Sequence, residues 1–521
     1  MLNYAAQFTL ITAECNGPAA KNFKFIFFSF LVSANYKLLN MKRLSLVVLA
    51  SLAAFTLFGG GLVTNTNQSA AWARTLTREA SLGGDAVYYN PAGLAQMKNG
   101  LHLSLSNQTI FQTRIITSGY PLIAGVPKDY EANLVAPVFP SIYAAFKMDK
   151  WAFSGGFNII GGGGSANFES GIPSFESRIA SIGASLAPID EAINSAIGFD
   201  PGFRNVTGYN IDEMSLSGSS MYMGFQVGAT YAITDMISVA VGARYVVARN
   251  SYEGRTDGIT IEAPAAYGGT QPPGTYLRTV AATPGLPEEV VLGLNANANA
   301  LDLISSNGEL NAEQRGAGFT PIVGVNINLL EKLNIALKYE HHTKIELTNE
   351  TEVDDIGMFP DGEKSRADLP GHFTAGVAFQ PFEKLTASVG FNYFLDKAAY
   401  YGATDENGVQ IDGSTTIDEN TFNLSASLEY KFLGILGLSA GYSYGSLGVN
   451  DNYQSDLSYS NMSNTIGAGA FIDVGDILTI NAGVVFVNYV DYSREYTSPV
   501  PYTETFKKNT TLFAIGLDIH L

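Results

Sequence analysis

The stretch LTASVGFNYFL (385–395) alternates apolar residues with small or polar ones at a period of two. Apolar side chains occupy the odd positions from Leu385 to Leu395, and residues such as Thr386 and Ser388 fall between them. Alternate side chains of a strand point to opposite faces of its sheet. The stretch therefore predicts a β-strand with one apolar face, long enough to cross a bilayer when tilted.

The same alternation recurs along the chain from residue 101 to its end. Tight turns such as KMDK (147–150), LLEK (329–332) and PFEK (381–384) join strands into pairs, and long polar stretches join the pairs. Short turns at one end and long loops at the other are typical of outer-membrane barrels. The pattern predicts fourteen strands, which are 101–113, 138–148, 151–160, 219–232, 236–250, 318–330, 332–346, 371–381, 385–397, 420–432, 435–446, 463–474, 477–490 and 510–521.

A soluble β-sandwich also has alternating strands, but strands of about ten residues and the alternation of short turns with long loops favour a membrane barrel. The composition agrees with a large all-β protein of this kind. Charged residues make up 15% of this chain, against roughly 25% in ordinary soluble domains. The chain is also rich in Gly (54), Tyr (27) and Phe (31). No apolar run of about 20 residues follows residue 60, which excludes a bundle of transmembrane helices. We therefore predict an all-β fold, a 14-stranded antiparallel transmembrane β-barrel.

Charge and the reactive side chains restrict the possible functions. The net charge of −18 argues against nucleic-acid binding, because phosphates would repel the protein. The single cysteine is Cys15, and the adjacent His341 and His342 have no partners at metal-ligand spacing. We therefore predict no catalytic residue, no metal site, no cofactor and no enzymatic activity.

Two connections, 161–218 and 251–317, are too long for simple loops. Each contains apolar residues at a spacing of three to four, as in EEVVLGLNANANALDLI (288–304), which predicts amphipathic helices. Two interpretations stay open. The helices pack on the barrel rim and on each other, or they form an extracellular landing site for a hydrophobic ligand.

The sequence pattern of the first sixty residues indicates an export signal. Met41-Lys42-Arg43 followed by the apolar run 44–58 has the basic and hydrophobic parts of a secretory signal, so we assign residues 41–60 to a signal peptide. Residues 1–40 are then a mis-assigned N-terminal extension. The alternative is that residues 1–60 form one long atypical leader.

The segment that precedes the first strand, NQSAAWARTLTREASLGGDAVYYNPAGLAQM (67–97), has neither a helical nor a strand period. It resembles the N-terminal segment of the FadL/TodX outer-membrane transporters of long-chain fatty acids and other hydrophobic molecules. DLPGHFTAGVAFQPFEKLTASVGFNYF (368–394) and VGARYVVAR (241–249) are similar to strands of the same family. The form GLVTNTNQSA (61–70) is similar to Bacteroidetes-type versions.

The resemblance implies a barrel over residues 101–521 whose lumen is plugged by an N-terminal hatch, residues 61–100. It implies that cargo is captured among the extracellular loops, passes a pocket beside the hatch and leaves sideways through the barrel wall, near a kink in the third strand. The candidate hatch and gate residues are Asn67, Gln68, Ser69, Asn90, Pro91 and Ala92.

The third predicted strand, WAFSGGFNIIGGGG (151–164), is rich in glycine, the residue that most readily allows bulges and kinks. We therefore place the lateral opening at Gly155, Gly156, Gly161 and Gly162. The alternative is that Gly161 and Gly162 only begin a flexible loop.

A ligand head group needs a cation or hydrogen-bond donors in an otherwise apolar pocket. The candidates are Arg244, on the lumen-facing phase of its strand, and Arg249, which resembles the fifth-strand arginine of the family. Arg249 falls on the lipid-facing phase unless a bulge intervenes, and it could instead snorkel to lipid phosphates. Lys338 and Glu340 are expected to form a structural charge network.

These features predict an outer-membrane channel of a Gram-negative bacterium that takes up long-chain fatty acids or other hydrophobic molecules by passive, ligand-gated diffusion. Its expected partners are that hydrophobic ligand, outer-membrane lipids with lipopolysaccharide, and the outer-membrane assembly machinery. The alternatives are a structural or adhesive barrel and an outer-membrane lipid hydrolase, although no Ser/His arrangement for a hydrolase stands out.

Overall fold

The computed structural model describes residues 68–521 except 330, 331, 405–408, 433 and 499. The expected extension (1–40), the expected signal peptide (41–60), Cys15 and Asn67 lie outside the described residues. In the described part of the chain, no helix is both long enough and apolar enough to cross a bilayer.

Fourteen long strands form one antiparallel sheet. Each strand pairs with its neighbours in sequence, and the last pairs with the first over His102–Ser118 and Glu504–His520, so the sheet closes into a barrel. The predicted fold class is confirmed. The strands are β1 (Gly100–Ser118), β2 (Lys128–Met148), β3 (Trp151–Phe168), β4 (Glu213–Ala232), β5 (Ile237–Asp257), β6 (Gly308–Leu329), β7 (Leu333–Glu340), β8 (His372–Phe382), β9 (Leu385–Phe394), β10 (Phe422–Lys431), β11 (Leu436–Gly445), β12 (Ser463–Val474), β13 (Leu478–Tyr489) and β14 (Tyr502–His520).

The barrel is apolar outside and polar inside. Outward-facing side chains such as Val241, Leu428 and Ile515 are 58–63% exposed, and a surface of this kind is stable when it faces hydrocarbon. Inward-facing polar residues such as Asn326 and Asn481 are buried. The alternation in the sequence therefore predicts which side chains face the lumen.

Several strands are longer than the sequence predicts, because pairing continues where the hydrophobic alternation stops. β14 begins at Tyr502 rather than 510, and β2 begins at Lys128 rather than 138. In β14 the outward positions change from exposed apolar residues at Phe513 and Ile515 to polar ones at Thr503 and Thr505. The strands thus extend beyond the apolar band, at the end of the barrel that carries the long connections, which we call the long-loop end.

The long connections contain the expected helices, namely α3 (Pro173–Ala180) and α4 (Ile182–Ile197) after β3, and α5 (Pro273–Ala281) and α6 (Glu288–Ser305) after β5. Their apolar sides share one buried cluster that includes Ile182, Leu277 and Leu294. The helices of the two long connections therefore pack on each other, as in the first of the two interpretations of the sequence. Three further strands of the same sheet, at 346–354, 364–366 and 492–496, extend the barrel at this end.

Candidate functional site

Residues 68–99, which we call the internal segment, lie inside the barrel. The segment contains α1 (Ala70–Thr75), α2 (Ala86–Tyr89) and a 3-10 helix (Pro91–Gln96). Its apolar side chains, among them Trp72, Leu76 and Leu94, pack in one cluster with lumen-facing residues of the wall. The segment has no hydrophobic period because wall residues surround it on several sides.

Glycines of the wall let α1 approach the strands closely. A Cβ added at Gly441 of β11 would lie 1.9 Å from the carbonyl oxygen of Thr75, and one at Gly467 of β12 would lie 2.7 Å from that of Ala73. A Cβ at Gly483 of β13 would meet the backbone nitrogen of Arg74 at 2.8 Å. These inward-facing glycines are one reason for the high glycine content of the chain.

The start of the internal segment is held by side-chain hydrogen bonds. Ser69 caps α1 by accepting from the backbone N–H of Trp72 at 3.0 Å, and its hydroxyl donates to Asp85 at 2.9 Å. Arg78 donates to both carboxylate oxygens of Asp85, from Nε at 2.8 Å and from Nη2 at 2.7 Å. These contacts join the two helices into one unit.

The turn Asn90-Pro91-Ala92 is tied to three neighbouring strands of the wall. Asn90 Nδ2 donates to Oδ1 of Asn326 on β6 at 2.7 Å, and Asn90 also caps the 3-10 helix by accepting from the Gly93 N–H. The carbonyl oxygens of Pro91 and Ala92 accept from Thr230 of β4 and Ser238 of β5, each at 2.7 Å. Four of the gate residues predicted from the sequence are thus held by hydrogen bonds at two positions. Ser69 lies at the start of α1, and Asn90, Pro91 and Ala92 form the turn after α2.

Arg244 of β5 faces the lumen and is fully buried. Its Nη1 and Nη2 donate to the two carboxylate oxygens of Glu340 at 2.6 and 3.0 Å, and Lys338 Nζ donates to the same carboxylate at 2.7 Å. Lys338 also donates to the carbonyl oxygen of Tyr88, at 2.9 Å. Arg244 is therefore occupied in a charge network that holds α2.

Arg249 lies elsewhere. It is on the outward phase of β5, its side chain is 56% exposed, and it forms an ion pair with Glu313 at 2.5 Å. No bulge between β5 and β6 turns it inward, since the register runs without a shift from Ile237 to Thr256. The structure does not bring Arg244 and Arg249 together, and the placement of Arg249 does not support a head-group role.

The hydrogen-bonded ladder between β2 and β3 has a long break. The pairing runs from Met148–Trp151 to Ser141–Asn158, stops, and resumes only at Asn133–Asn167. Residues 134–140 of β2 and 159–166 of β3 are therefore unpaired with each other. We call this break the wall gap.

Two bulges in β3 accompany the wall gap. The register with β4 shifts between Ile159 and Gly161 and again between Gly162 and Gly164. Gly162 has φ +67, and a Cβ there would lie 2.1 Å from the carbonyl oxygen of Ser220. Only glycine fits this conformation without strain. Each bulge adds one residue to β3 relative to β4, Ile160 in the first and Gly163 in the second.

The four glycines named from the sequence divide into two pairs. Gly155 and Gly156 lie in the paired part of the ladder, opposite Ala144 and Tyr143. Gly161 and Gly162 lie inside the wall gap, in the bulged part of β3, which continues to Phe168. The break therefore starts beyond Asn158, and the glycines inside it are not the beginning of a loop.

Gln68 connects the internal segment to the wall gap. Its Nε2 donates to the carbonyl oxygen of Ile159 at 2.7 Å, and Ile159 follows Asn158, the residue of β3 at which the pairing with β2 stops. The backbone N–H and carbonyl of Gln68 are in turn bonded to the hydroxyl of Tyr89, at 2.7 and 2.6 Å. The sequence resemblance singled out Gln68, but only the fold shows which wall atom it contacts.

A cavity of about 270 Å³ lies at the short-turn end of the barrel, below the internal segment. Polar and charged residues dominate its lining, which includes Arg78, Asn334, Gln380 and Glu429. An apolar molecule that moved straight down the lumen would enter a polar compartment.

Comparison with known proteins shows the same architecture. No family model matches the sequence, and no curated protein matches it. A FadL homologue of Pseudomonas aeruginosa superposes with a TM-score of 0.57 at 13% identity, over 88% of this chain and 99% of that one. The Pseudomonas putida toluene transporter TodX superposes with a TM-score of 0.53 at 14% identity, over 88% and 100%. The chain therefore has the fold of the FadL homologue and of TodX.

Proposed function

We propose that this protein is a passive outer-membrane channel that takes up hydrophobic molecules and releases them sideways through the wall gap into the bilayer. The observation that carries the proposal is the wall gap itself. It lies at the height of the apolar band, since the outward residues of its β2 edge, Val135 and Val138, are apolar and 55% and 68% exposed. A molecule that passed through it would enter hydrocarbon.

The energetics favour this route for an apolar cargo. Full exposure of a long alkyl chain to water costs about 0.8 kcal/mol per methylene, which amounts to roughly ten kcal/mol for a chain of about sixteen carbons. The polar cavity below the internal segment would impose much of that cost. Release through the wall avoids it.

The internal segment acts as the gate in this proposal. Backbone groups that lose their partners are expensive in hydrocarbon, and Gln68 donates from inside the barrel to the carbonyl of the buried Ile159 at the edge of the wall gap. Ligand binding that displaced Gln68 would weaken the closed state of the wall gap. In the outer membrane, the long-loop end would face the cell exterior, where lipopolysaccharide surrounds it. The outer-membrane assembly machinery would insert the chain and close the barrel.

The cargo we propose is a long-chain fatty acid or a comparable apolar compound. Among the structural neighbours, TodX is described as a toluene transporter and as a monoaromatic hydrocarbon channel. Those descriptions belong to TodX, and they support an apolar cargo here through the shared fold.

Removal of a bulge in β3 tests the proposal. Two variants should force β3 back toward regular pairing with β2. Deletion of Gly163 removes the extra residue of the second bulge, and Gly162→Val removes the residue that tolerates the left-handed conformation. We expect uptake of a radiolabelled fatty acid into cells that express each variant to fall at least tenfold. Surface abundance and heat-modifiable migration of the barrel should stay normal.

Gly155→Val is the matched control. It lies on the same strand in the paired region, and a Cβ there has no neighbour closer than 3.8 Å, so uptake should stay at the wild-type rate. Undiminished uptake by correctly inserted variants of both Gly162 and Gly163 would rule out lateral release.

A further inference from the structure

Two cations face each other inside the barrel, at the seam where the first and last strands meet. Arg114 of β1 is directly opposite Lys508 of β14. Both lie on the lumen-facing phase, since the residues two positions away on the same phase, Ile116 and Phe506, are completely buried. Arg114 and Lys508 are themselves only partly buried. We call them the seam pair.

In the part of the chain that the structure describes, no carboxylate forms an ion pair with either member of the seam pair. Arg114 Nε donates to the neutral amide oxygen of Gln112 at 2.8 Å. Lys508 Nζ lies 4.3 Å from the centre of the Tyr489 ring. Like charges directly opposite each other on a sheet are destabilising, whereas a bound anion would convert the repulsion into attraction.

Apolar surfaces lie on both sides of the seam pair along the strands. The next inward pair toward the long-loop end is Ile116–Phe506, which belongs to a buried apolar cluster. The second inward pair toward the short-turn end is Ile110–Leu512, which packs with the core around the internal segment. An apolar chain attached to an anion at the seam pair would therefore lie next to apolar side chains, with which it could pack.

The seam pair also lies close to the wall gap. Arg114 is opposite Ala132 on β2, and the unpaired part of β2 begins two residues further on, at 134. Neighbouring strands are about 4.8 Å apart, so a single strand separates Arg114 from the edge of the wall gap.

We propose that Arg114 and Lys508 bind the anionic head group of an amphiphilic cargo, a carboxylate carried on an apolar chain, beside the wall gap. Arginine binds a carboxylate through two parallel N–H donors, and lysine adds a compact point charge. The inference rests on the proposed function and adds to it a site that would select charged amphiphiles over neutral hydrocarbons.

Binding to the full-length protein in uncharged detergent micelles tests the inference. Isothermal titration would compare dodecanoate, dodecan-1-ol and acetate. Because hydrogen bonds to charged groups are worth more than neutral ones, we expect dodecanoate to bind at least about tenfold more tightly than dodecan-1-ol. Acetate, which lacks the chain, should bind far more weakly than dodecanoate.

Arg114→Gln and Lys508→Gln should each weaken dodecanoate binding at least about fivefold and leave dodecan-1-ol binding unchanged. Lys507→Gln is the matched control, since Lys507 lies on the opposite phase of the same strand, and it should bind dodecanoate like the wild type. Unchanged preference for dodecanoate in the two seam variants would overturn the inference. Acetate binding as tight as that of dodecanoate would also overturn it, because the site would then take a free anion.

Stability of the ligand-free variants separates ligand binding from a structural role. Loss of either charge removes a repulsion, so the unfolding temperature of Arg114→Gln and Lys508→Gln should be equal to or above that of the wild type. A lower unfolding temperature would show that the pair is structural. If uptake of the radiolabelled fatty acid depends on the bulges of β3 while dodecanoate binding does not depend on the seam pair, only this inference fails and the proposed channel function stands.

Discussion

Arg244 and Glu340 form a bidentate ion pair in the middle of the barrel, with N–O distances of 2.6 and 3.0 Å, and both side chains are at most 2% exposed. The pair joins β5 to β7, and Lys338 extends it to the backbone of the internal segment. One carboxylate therefore balances two cations on the wall beside Tyr88. The stability of this region depends on that carboxylate.

Glu340→Ala should destabilise the protein strongly, because it leaves Arg244 and Lys338 buried next to each other without an anion. Loss of one partner of a buried ion pair typically costs about 3–5 kcal/mol. Urea unfolding of the barrel in liposomes would measure the change. Glu383→Ala, at an exposed turn, is the control and should change stability by less than about 0.5 kcal/mol. A similar small change for Glu340→Ala would show that the network is not stabilising.

Gly441→Ala should displace α1 from the wall. The added Cβ would lie 1.9 Å from the carbonyl oxygen of Thr75, and backbone atoms on both sides cannot yield as a flexible side chain could. We expect a higher ion conductance in planar bilayers, because the internal segment would close the lumen less completely. Gly308→Ala, whose Cβ would meet its nearest neighbour at 3.5 Å, should conduct like the wild type. Equal conductance of both variants would mean that α1 does not seal the lumen.

Acid should loosen the long connection between β7 and β8. Burial alone would raise the pKa of Asp368, but hydrogen bonds from His342, from Arg366 and from the N–H of Ile345 hold that pKa below its usual range. A carboxyl whose pKa is lowered on folding stabilises the fold above its unfolded pKa, and this stabilisation is lost as the pH falls through the folded value.

Amide hydrogen exchange of residues 341–371 should therefore accelerate when the pH falls below about 4, after correction for the intrinsic pH dependence of exchange. Asp368→Asn should exchange quickly at neutral pH and lose that acid-induced step. An acid response that persisted unchanged in Asp368→Asn would assign the effect to another group.

The wall could be predicted from the sequence because its information is local. A period of two places Phe391 outside and Asn392 inside wherever the strand lies in the sheet. The strand count is confirmed for this reason. Strand ends were missed: β7 ends at Glu340 rather than 346, and β2 and β14 begin earlier than predicted, at Lys128 and Tyr502. There the chain leaves the apolar band, and hydrogen bonding continues after the hydrophobic signal has stopped.

The position of the wall gap could be predicted only in part. The glycine-rich run 151–164 indicated a defect in β3, but all of its glycines carry the same local signal. Whether a given glycine is paired depends on the register of two other strands, which places Gly156 opposite Tyr143 and leaves Gly162 in a bulge. For Arg244 and Arg249 the sequence indicated the phase of each, and the structure decided that no bulge turns Arg249 inward.

The sequence by itself therefore determined the number of strands, the phase of the residues in the predicted strands, and the presence of a segment with neither a strand nor a helical period. Only the tertiary structure decided what meets inside the barrel. Closure brings Arg74 to Asn481 across 407 positions of the chain, sets Gln68 at the carbonyl of Ile159, and places Arg114 opposite Lys508. Such contacts follow from strand register and barrel closure, which are properties of the whole sheet, and no local pattern encodes them.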